Sequence, residues 1–362
     1  MQIKKNHPVK FRKADLFNRV NVAILGATGA VGQRFIEMLA EHPYFNLKAL
    51  MAQKEFSGKP YGQVCNWFIS GKMPQSVSSM VVKTAEPESL INDEVEIVFS
   101  AIPADIAQAL EPKFALAGYK IFSKASAFRM EKDVPLLLAE INPNHLELLK
   151  VQQKSRGWSG FIATDPNCSA IIMTLVLKPL LDAFGINEVI VSTMQAVSGA
   201  GYPGVPSLDI IDNVLPHIKD EEDKLEKEPL KILDADFKIS ASCHRVATTD
   251  GHLEDLHISL GRPAPISEIK EALNDFGKSL KKLPSSPEKL IIVTDDPLRP
   301  QPKLDRLAGK GMSITVGRIR RDPVLENGVK MNIVGHNTIR GAAGQSILNA
   351  EFWAENNLKI VK

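Results

Sequence analysis

The sequence predicts an α/β fold in which a parallel sheet covered by helices is followed by a second, mixed or antiparallel sheet. The N-terminal part alternates short apolar strand patterns with helical patterns, which is typical of a parallel sheet with helices on both faces. Beyond about Thr164 the strand patterns become longer and have fewer helices between them. A chain of 362 residues also exceeds what one hydrophobic core usually organises, so we expect two domains.

The first domain is predicted to begin with a strand, a glycine turn and a helix in VNVAILGATGAVGQRFIEMLAEH, which starts at Val20. FNLKALMA supplies the second strand, and helical patterns such as PADIAQALEPKFALAG separate the later ones. Three further apolar runs are predicted as strands of the same sheet: VEIVFSAI, YKIFSKA and PLLLAEI. Strands that are joined through helices in this way run parallel.

The second domain is predicted to contain the strands INEVIVSTMQAVSG, DLHISLG, KLIIVTD, MSITVGRIRRD and VKMNIVGH, and a strand pair around an Asp-Gly turn signal at Asp250. DEEDKLEKEPLKIL is typical of a charged helix, and TIRGAAGQSILNAEFWAENN of a C-terminal helix that packs back onto the first domain. The predicted division is an N-terminal extension at 1–19, one domain formed by 20–166 and 337–362, and a second at 167–336.

Charge and composition argue against several classes of protein. With 44 Lys and Arg against 42 Asp and Glu, the net charge of +2 gives no overall field that attracts nucleic acid or a membrane, so neither is expected as a partner. Three cysteines without framework spacing indicate a reducing, cytoplasmic location. No apolar run approaches the roughly 20 residues that span a bilayer. The basic N-terminus lacks the apolar core of a secretory signal, so we expect a solvated extension, with an organellar transit peptide as the alternative.

Gly26, Gly29 and Gly32 lie in GATGAVG, between a predicted strand and a predicted helix. Backbone N–H groups and the helix dipole at such a turn can hold a pyrophosphate, so the motif predicts a Rossmann-type dinucleotide site. The order G-x-x-G-x-x-G differs from the usual G-x-G-x-x-G, and a glycine turn can also serve only to pack a helix closely on a strand.

The second strand ends in MAQKEFSGK, where the ribose of the dinucleotide should be bound. Lys54, Ser57 and Lys59 suit the 2′-phosphate of NADP, whereas Glu55 is the kind of side chain that accepts a 2′-hydroxyl. A solvated charged loop explains each of these residues equally well. The pattern therefore leaves both cofactors open.

Cys168 follows Pro-Asn and precedes the helical pattern SAIIMTLVLKPLLDAFG. The dipole at a helix N-terminus lowers the pKa of a thiol, so Cys168 is the candidate nucleophile. Cys65 has apolar neighbours and is expected to fill space in or near the core. A metal site drawn from Cys168, Cys243, His244 and His252 has no zinc-ligand spacing, so no metal is expected.

Arg245 and His252 flank the Asp-Gly turn signal, which would bring both to one end of the predicted strand pair. An arginine suits a substrate carboxylate, and a histidine titrates near neutrality, as a proton shuttle beside a thiol must. A histidine in a hairpin is more often structural, so both interpretations stay open. Glu221 and Lys224 share one face of the charged helix, where composition alone predicts a solvated surface.

Six motifs occur in order from about Val20 to Phe352: GATGAVG, PNCS, QAVSGAGYPG, the EEDK helix, RVATTDGH and HNTIRGAAGQSILNAE. With these motifs the chain resembles the aspartate-semialdehyde dehydrogenases of archaea and fungi. The resemblance implies a Rossmann-type dinucleotide-binding domain and an α+β catalytic and dimerisation domain of the glyceraldehyde-phosphate-dehydrogenase-like type. It also implies a homodimer or homotetramer that serves lysine, threonine and methionine biosynthesis.

The resemblance further implies NADPH-dependent, reversible reduction of L-4-aspartyl phosphate to L-aspartate 4-semialdehyde and phosphate. Cys168 matches the nucleophile that forms a thioester, Gln195 the glutamine that orients the substrate, and His252 the acid/base. Arg245 and Glu221 match the groups that bind the α-carboxylate and the amino group of the substrate. The implied phosphate ligands are Arg129, Asn167 and Lys224. The patterns above give the cofactor-binding positions Gly26, Gly32, Lys54 and Ser57. The resemblance adds Thr28, Gly29, Ala30, Val31, Ser198, Gly199 and Asn337.

Related reactions use the same glycine turn and cysteine: those of malonyl-CoA reductase, N-acetylglutamyl-phosphate reductase and glyceraldehyde-phosphate-type dehydrogenases. Glu221 together with Arg245 favours a substrate with a free amino acid skeleton. A dinucleotide-binding sensor without activity is the alternative of another class, and the presence of Cys168 and His252 argues against it. Members of the family commonly carry a Ser/Arg-rich segment for the 2′-phosphate. Here Glu55 stands where an arginine is expected, so NADP is predicted while NAD stays open.

Overall fold

Two six-stranded sheets organise the chain in the computed structural model, which describes residues 19–358. Apart from Arg19, the predicted N-terminal extension lies outside the described residues, and so do residues 359–362 of the predicted first domain. Among residues 19–358, no helix is long and apolar enough to cross a membrane.

The first sheet contains β1 (Val20–Leu25), β2 (Phe45–Ala52), β3 (Lys83–Thr84), β4 (Ile97–Ser100), β5 (Lys120–Ser123) and β6 (Phe161–Thr164). Its strands all run parallel, in the order β3-β2-β1-β4-β5-β6. This is the strand order of a Rossmann fold. From β1 the chain adds β2 and β3 on one side of the sheet and then returns to add β4, β5 and β6 on the other side. The predicted parallel sheet is confirmed.

The second sheet contains β7 (Ile186–Ala196), β8 (Lys238–Val246), β9 (His252–Leu260), β10 (Ile291–Thr294), β11 (Ile314–Arg321) and β12 (Gly328–Gly335). The order is β10-β11-β12-β9-β7-β8. The β10–β11 and β7–β8 pairs are parallel and the other three pairs are antiparallel, so the sheet is mixed, as predicted.

The helices are α1 (Ala30–Leu39), α2 (Tyr61–Val64), α3 (Gln75–Ser78), α4 (Ala104–Leu116), α5 (Leu148–Arg156), α6 (Cys168–Phe184), α7 (Ser207–Ile210), α8 (Glu221–Leu233), α9 (Ile266–Asp275), α10 (Pro302–Asp305) and α11 (Gly344–Asn357). Short 3-10 turns lie at Lys54–Phe56, Pro87–Asp93, Pro143–Glu147, Val197–Ala200 and Ala308–Gly311, and a π-helical turn lies at Ile339–Ala343.

Helix α6 is buried along most of its length because its sequence is apolar on every side. It packs against β9 and β12 of the second sheet. Only three residues separate the end of β6 at Thr164 from the start of α6 at Cys168. The N-terminus of this core helix therefore lies at the carboxyl edge of the first sheet.

Helix α11 returns to the first sheet, as predicted. Trp353 packs edge-on against Phe122 of β5 and Phe161 of β6. Ile347 belongs to the same buried apolar cluster. The C-terminal segment thus completes the core on one face of the Rossmann sheet.

The prediction of a strand in PLLLAEI is wrong. The segment lies beside β6, the last strand in the order of the first sheet, and its bridge to β6 is an isolated one, between Leu136 and Thr164. Around that bridge, the N–H of Leu137 donates to the carbonyl oxygen of Thr164 (2.8 Å), and the N–H of Thr164 donates to that of Pro135 (2.9 Å). Beyond it, two amide side chains are the partners: Asn142 accepts from the N–H of Leu138, and Asn349 donates to the carbonyl of Leu137. Apolar patterning identified a buried segment, but the hydrogen-bond partners decided its conformation.

The predicted strand pair around Asp250 is also wrong as a hairpin. Strand β7 lies between β8 and β9, pairing parallel with β8 and antiparallel with β9. The connection between β8 and β9 therefore crosses the end of β7. Arg245 and His252 still end at the same edge of the sheet, since β8 and β9 run in opposite directions on either side of β7.

A buried carboxyl in α4 gives the fold a predictable pH response. Glu111 accepts a hydrogen bond from Ser123 (2.6 Å), and burial raises the pKa of Glu111 from 4.5 to about 7. Below pH 4.5 this group is neutral in both folded and unfolded chains. As the pH rises towards 7 the unfolded chain loses the proton first, so stability is lost over that interval.

Replacing Glu111 with glutamine is therefore expected to stabilise the protein increasingly with pH. The difference in free energy of unfolding should grow by about 2 kcal/mol between pH 5 and pH 8, as the raised pKa implies. Urea denaturation at fixed protein concentration measures it, with the exposed Glu41→Gln as control. An equal effect of Glu111→Gln at both pH values would contradict a neutral buried Glu111.

Candidate active site

A cavity of about 520 Å³ opens between residues that follow β1 and residues that follow β4. Ligands bind at this position in sheets with the Rossmann strand order. Several predicted site residues line it: Gly29, Ala30, Val31, Arg129, Asn167, Cys168, Ser198, Gly199 and Asn337. The structure thus brings residues from both sheets to one cleft.

The glycine turn has the tight geometry that a dinucleotide site requires. Gly26 adopts φ +87°, and a Cβ atom there would lie 2.6 Å from the carbonyl oxygen of Ala101. A Cβ atom on Gly32 would lie 2.2 Å from the carbonyl oxygen of Gly26. Gly29 is the N-cap of α1 and lines the cavity, followed by Ala30. The start of α1 therefore fits an anionic group such as a pyrophosphate.

The residues predicted to meet the ribose lie just after β2. Lys54 and Glu55 are exposed in the 3-10 turn Lys54–Phe56, and Ser57 follows them half-buried. These side chains lie outside the lining of the 520 Å³ cavity. Thr28, half-buried in the glycine turn, accepts a hydrogen bond at its carbonyl oxygen from Gln33 (3.1 Å).

Asn337 joins three segments at the cavity wall. Its Oδ1 accepts from the N–H of Gly251 (2.9 Å), and its Nδ2 donates to Oγ of Ser198 (2.8 Å). Two of the predicted cofactor positions, far apart in sequence, are therefore in direct contact.

Cys168 is the first residue of α6, as its sequence context predicts. Oδ1 of Asn167 caps the helix by accepting from the N–H groups of Ser169 (2.9 Å) and Ala170 (3.2 Å). The expectation of a lowered thiol pKa is wrong for this structure. Burial, followed by the Glu221 carboxylate, raises the pKa of Cys168 to about 12. Cys168 is therefore a thiol rather than a thiolate in the free protein.

His252 contacts the sulfur of Cys168. The distance from Nε2 to Sγ is 3.2 Å. On the opposite side of the ring, Nδ1 accepts a hydrogen bond from the backbone N–H of Ala196 (3.1 Å). Burial, followed by the charge of Arg245, holds the pKa of His252 well below 6.5. The imidazole is therefore neutral, and its proton belongs on Nε2, facing the sulfur.

Gln195 and Arg245 are register partners at the ends of β7 and β8, and both are buried. Gln195 donates to Oγ1 of Thr193 (3.3 Å), and Nη1 of Arg245 donates to the carbonyl oxygen of Ala196 (2.8 Å).

Gly199 lines the cavity and lies against the side chains of Arg245 and His252. A Cβ atom on it would lie 2.8 Å from Nη1 of Arg245 and 3.3 Å from Cε1 of His252. The turn Val197–Ala200 therefore needs glycine at this position to lie so close to both groups.

The three predicted phosphate ligands belong to one network built on α8. Arg129 forms an ion pair with Glu228 (2.8 Å), and the other Glu228 oxygen accepts from the N–H of Asn167 (2.6 Å). Nδ2 of Asn167 donates to Glu221. Nζ of Lys224 lies 3.5 Å from Glu221, and Lys224 does not line the cavity. Two carboxylates of one helix thus hold the groups around Cys168 in place.

Two residues of the site were not predicted. Glu228 lies at helical spacing from Glu221 and Leu225, on the buried face of α8. A carboxylate beside the apolar side chains of a buried helix face indicates a buried partner, so this signal was present in the sequence. Lys124 follows β5 and lines the cavity. Its position at the carboxyl end of a parallel strand was the available signal.

The remaining cysteines lie away from this arrangement. Cys65 is half-buried and hydrogen-bonds to Tyr61 (3.0 Å), and Cys243 is fully buried. Within residues 19–358, no group of three or more His, Cys, Asp or Glu side chains is arranged to hold a metal ion.

Two family models match the chain. One, described as semialdehyde dehydrogenase, NAD binding domain, matches residues 21–149. The other, described as semialdehyde dehydrogenase, dimerisation domain, matches residues 177–340.

Full-length relatives and a solved structure agree with these matches. The chain is 53% identical to an aspartate-semialdehyde dehydrogenase of Archaeoglobus fulgidus, over 94% of this chain and 99% of the relative. It is 38% identical to a malonyl CoA reductase (NADP) of Metallosphaera sedula, over 93% and 97% of the two chains. The crystal structure of aspartate semialdehyde dehydrogenase with NADP from Candida albicans is similar with a TM-score of 0.83 and 38% identity, over 93% and 99% of the two chains.

Proposed function

The chain belongs to the aspartate-semialdehyde dehydrogenase family, and on that basis we propose that it reduces L-4-aspartyl phosphate to L-aspartate 4-semialdehyde and phosphate with NADPH, reversibly. The observation that carries this proposal is the contact between Cys168 and His252, beside a cavity that the glycine turn also lines. The semialdehyde is used for lysine, threonine and methionine biosynthesis.

Cys168 is the nucleophile. In the reductive direction Sγ forms a bond to the acyl carbon, and the bond from that carbon to the bridging oxygen breaks. The electron pair of the broken bond leaves with the phosphate, and the thiol proton ends on the released hydrogen phosphate. Because the pKa of Cys168 is about 12, the sulfur keeps its proton until this acceptor is bound.

His252 donates a hydrogen bond from Nε2. Since the N–H of Ala196 occupies Nδ1, the neutral ring has no free lone pair to offer the thiol as a base. Its Nε2–H can stabilise a thiolate and the oxygen that becomes negative when sulfur adds to the carbonyl carbon. The resemblance implies an acid/base role for His252; we propose that His252 acts as a hydrogen-bond donor.

The other side chains place the substrate. Arg245 binds the α-carboxylate, Glu221 faces the amino group and Gln195 orients the acyl group beside the sulfur. Arg129, Asn167 and Lys224 bind the phosphate group. The ion pair with Glu228 supports this assignment for Arg129, which lines the cavity with Cys168. Lys224 pairs with Glu221 outside the cavity lining, and its assignment rests on the resemblance.

NADP is the cofactor that this site would hold, and when bound it would supply or accept the hydride of the reaction. The glycine turn, in which Cβ atoms on Gly26 and Gly32 would collide with backbone, supports pyrophosphate binding at the start of α1. Lys54 and Ser57 are assigned to the 2′-phosphate. The proposed contacts also include Thr28, Gly29, Ala30, Val31, Ser198, Gly199 and Asn337.

A homo-oligomer follows from the dimerisation-domain match, and we infer a homodimer or homotetramer. We place the dinucleotide-binding domain at 20–166 with 337–362 and the catalytic and dimerisation domain at 167–336. A cytoplasmic location is inferred from three cysteines without a disulfide bond, and no nucleic acid or membrane partner is assigned. Light scattering after gel filtration distinguishes the two oligomers.

Purified protein is expected to reduce NADP in the presence of L-aspartate 4-semialdehyde and inorganic phosphate, and NAD more slowly. The rates with the two cofactors, each with and without phosphate, measure cofactor choice and phosphate dependence together. Parallel assays with NADPH and malonyl-CoA test the activity named for the Metallosphaera relative. Oxidation of NADPH by malonyl-CoA, without a reaction of the semialdehyde, would overturn the proposed substrate.

A further inference from the structure

Lys124 is a cation of the active-site cavity that the mechanism above leaves unused. It directly follows β5 and lines the cavity with Cys168, Arg129 and Asn167. Its Nζ donates a hydrogen bond to the carbonyl oxygen of Pro166 (2.8 Å), two residues before Cys168. The backbone therefore holds this ammonium group beside the nucleophile's end of α6.

Lys124 and Arg129 differ in how their charges are balanced. Arg129 is paired with Glu228 at 2.8 Å and donates to the carbonyl oxygen of Lys124 (2.7 Å). In the part of the chain that the structure describes, Lys124 makes no ion pair within 4.0 Å, and the carboxylates of Asp165 and Glu228 act on it only from further away. Asp165 is itself held by Asn349 (2.7 Å). The positive charge that Lys124 brings to the cavity is therefore less neutralised by nearby carboxylates than that of Arg129.

The ionisation of the neighbouring groups agrees with this geometry. Burial, opposed by the Asp165 carboxylate, lowers the pKa of Lys124 to about 8. The amine is therefore still mostly protonated at pH 7. The Lys124 charge in turn opposes the effect of burial on the pKa of Cys168.

We propose that Lys124 is a catalytic residue of this site, whose ammonium group binds the phosphate group beside Cys168 and stabilises negative charge on the sulfur. The proposal rests on the function proposed above. As the Sγ–carbon bond forms and the carbon–oxygen bond breaks, negative charge passes from sulfur to the departing phosphate. Lys124 keeps its proton throughout, so the atom and electron balance of the step is unchanged. A fixed cation near both atoms favours the step in either direction.

The test uses alkylation of Cys168 by iodoacetamide, which needs neither cofactor nor turnover. The rate is measured at the Cys168 peptide by mass spectrometry at pH 7, with increasing inorganic phosphate. Lys124→Arg keeps the charge, while Lys124→Gln keeps an N–H donor for Pro166 without the charge. Phosphate should protect the wild type and Lys124→Arg. In Lys124→Gln we expect protection to need about tenfold more phosphate and alkylation without phosphate to be about tenfold slower.

Lys120→Gln is the matched control, because Lys120 lies at the other end of β5 and pairs with Glu96 (3.3 Å). It should leave protection and alkylation unchanged. Wild-type behaviour of Lys124→Gln, or no protection of the wild type by phosphate, would overturn the proposal. This test does not depend on the substrate assignment. If the protein is inactive with the semialdehyde but phosphate still protects Cys168 through Lys124, the anion site stands and only the proposed reaction falls.

In turnover, the proposal also predicts which kinetic constant changes. Lys124→Gln should raise KM for phosphate in the oxidative direction by about tenfold or more and leave KM for NADP near the wild-type value. If Lys124 served only to hold Pro166 in place, Lys124→Gln would change KM for phosphate and KM for NADP together, or it would keep the bond and change neither.

Discussion

Replacement of Cys168 by alanine is expected to lower kcat of phosphate-dependent NADP reduction by about 10⁴-fold or more, since covalent catalysis has no substitute once its nucleophile is removed. In the structure Cys168 lines the cavity, begins a helix and has its Sγ 3.2 Å from Nε2 of His252. Steady-state kinetics with saturating semialdehyde and phosphate measure the loss. Binding of NADP, followed by fluorescence or calorimetry, should change by less than about threefold, since no cofactor contact is assigned to Cys168.

Cys65→Ala is the matched control for this prediction. Cys65 is also partly accessible, but it contacts Tyr61 and Gln33 and lies outside the cavity lining. Its replacement should leave kcat near the wild-type value. Substantial activity of Cys168→Ala, with Cys65→Ala inactive, would mean that the wrong sulfur has been assigned.

The fold was predictable where local patterning and long-range pairing agree. The run at Val20, the glycine turn and the following helix form as predicted because the strand is buried on both faces and the glycines allow the close approach of α1. PLLLAEI was assigned wrongly because its pairing with β6 ends after one bridge, and Asn142 and Asn349 are the partners of the backbone beyond it. A partner 212 residues away in sequence, such as Asn349, leaves no local pattern. The insertion of β7 between β8 and β9 is likewise a property of the whole sheet.

For the site, sequence identified residue types better than their electrostatic state. Cys168 and His252 were predicted and lie in contact, but the helix dipole suggested a lowered thiol pKa, whereas burial raises it. Burial depends on how closely Gly341 packs on Cys168 and Gly199 on the imidazole of His252, which no motif specifies. Asn167 was predicted as a phosphate contact, and its side chain also caps α6, a role that an asparagine directly before a helical pattern favours.

Replacement of His252 by asparagine is expected to lower kcat by about 10²- to 10³-fold, the usual effect of removing one donor to a developing oxyanion. Asparagine keeps an acceptor near the position of Nδ1, where Ala196 donates, but places no N–H near Sγ. Glutamine instead reaches towards the position of Nε2 and can donate there. If His252 acts as a donor, His252→Gln should retain activity within about tenfold of the wild type.

The pH profile tests whether the ring of His252 is neutral, and the two variants separate a donor from a base. Because the pKa of His252 lies well below 6.5, the ring stays neutral as the pH falls from 8 to 6, and kcat should show no imidazole inflection in that interval. A base of ordinary pKa would lose activity as it became protonated through that range. A base with the lowered pKa of His252 would keep the flat profile, but His252→Gln would then be as inactive as His252→Asn. The exposed His217→Gln serves as control for the substitution itself. An inflection between pH 6 and 7 that disappears in both His252 variants would return His252 to proton transfer and contradict the Nε2–H tautomer that the Ala196 contact assigns.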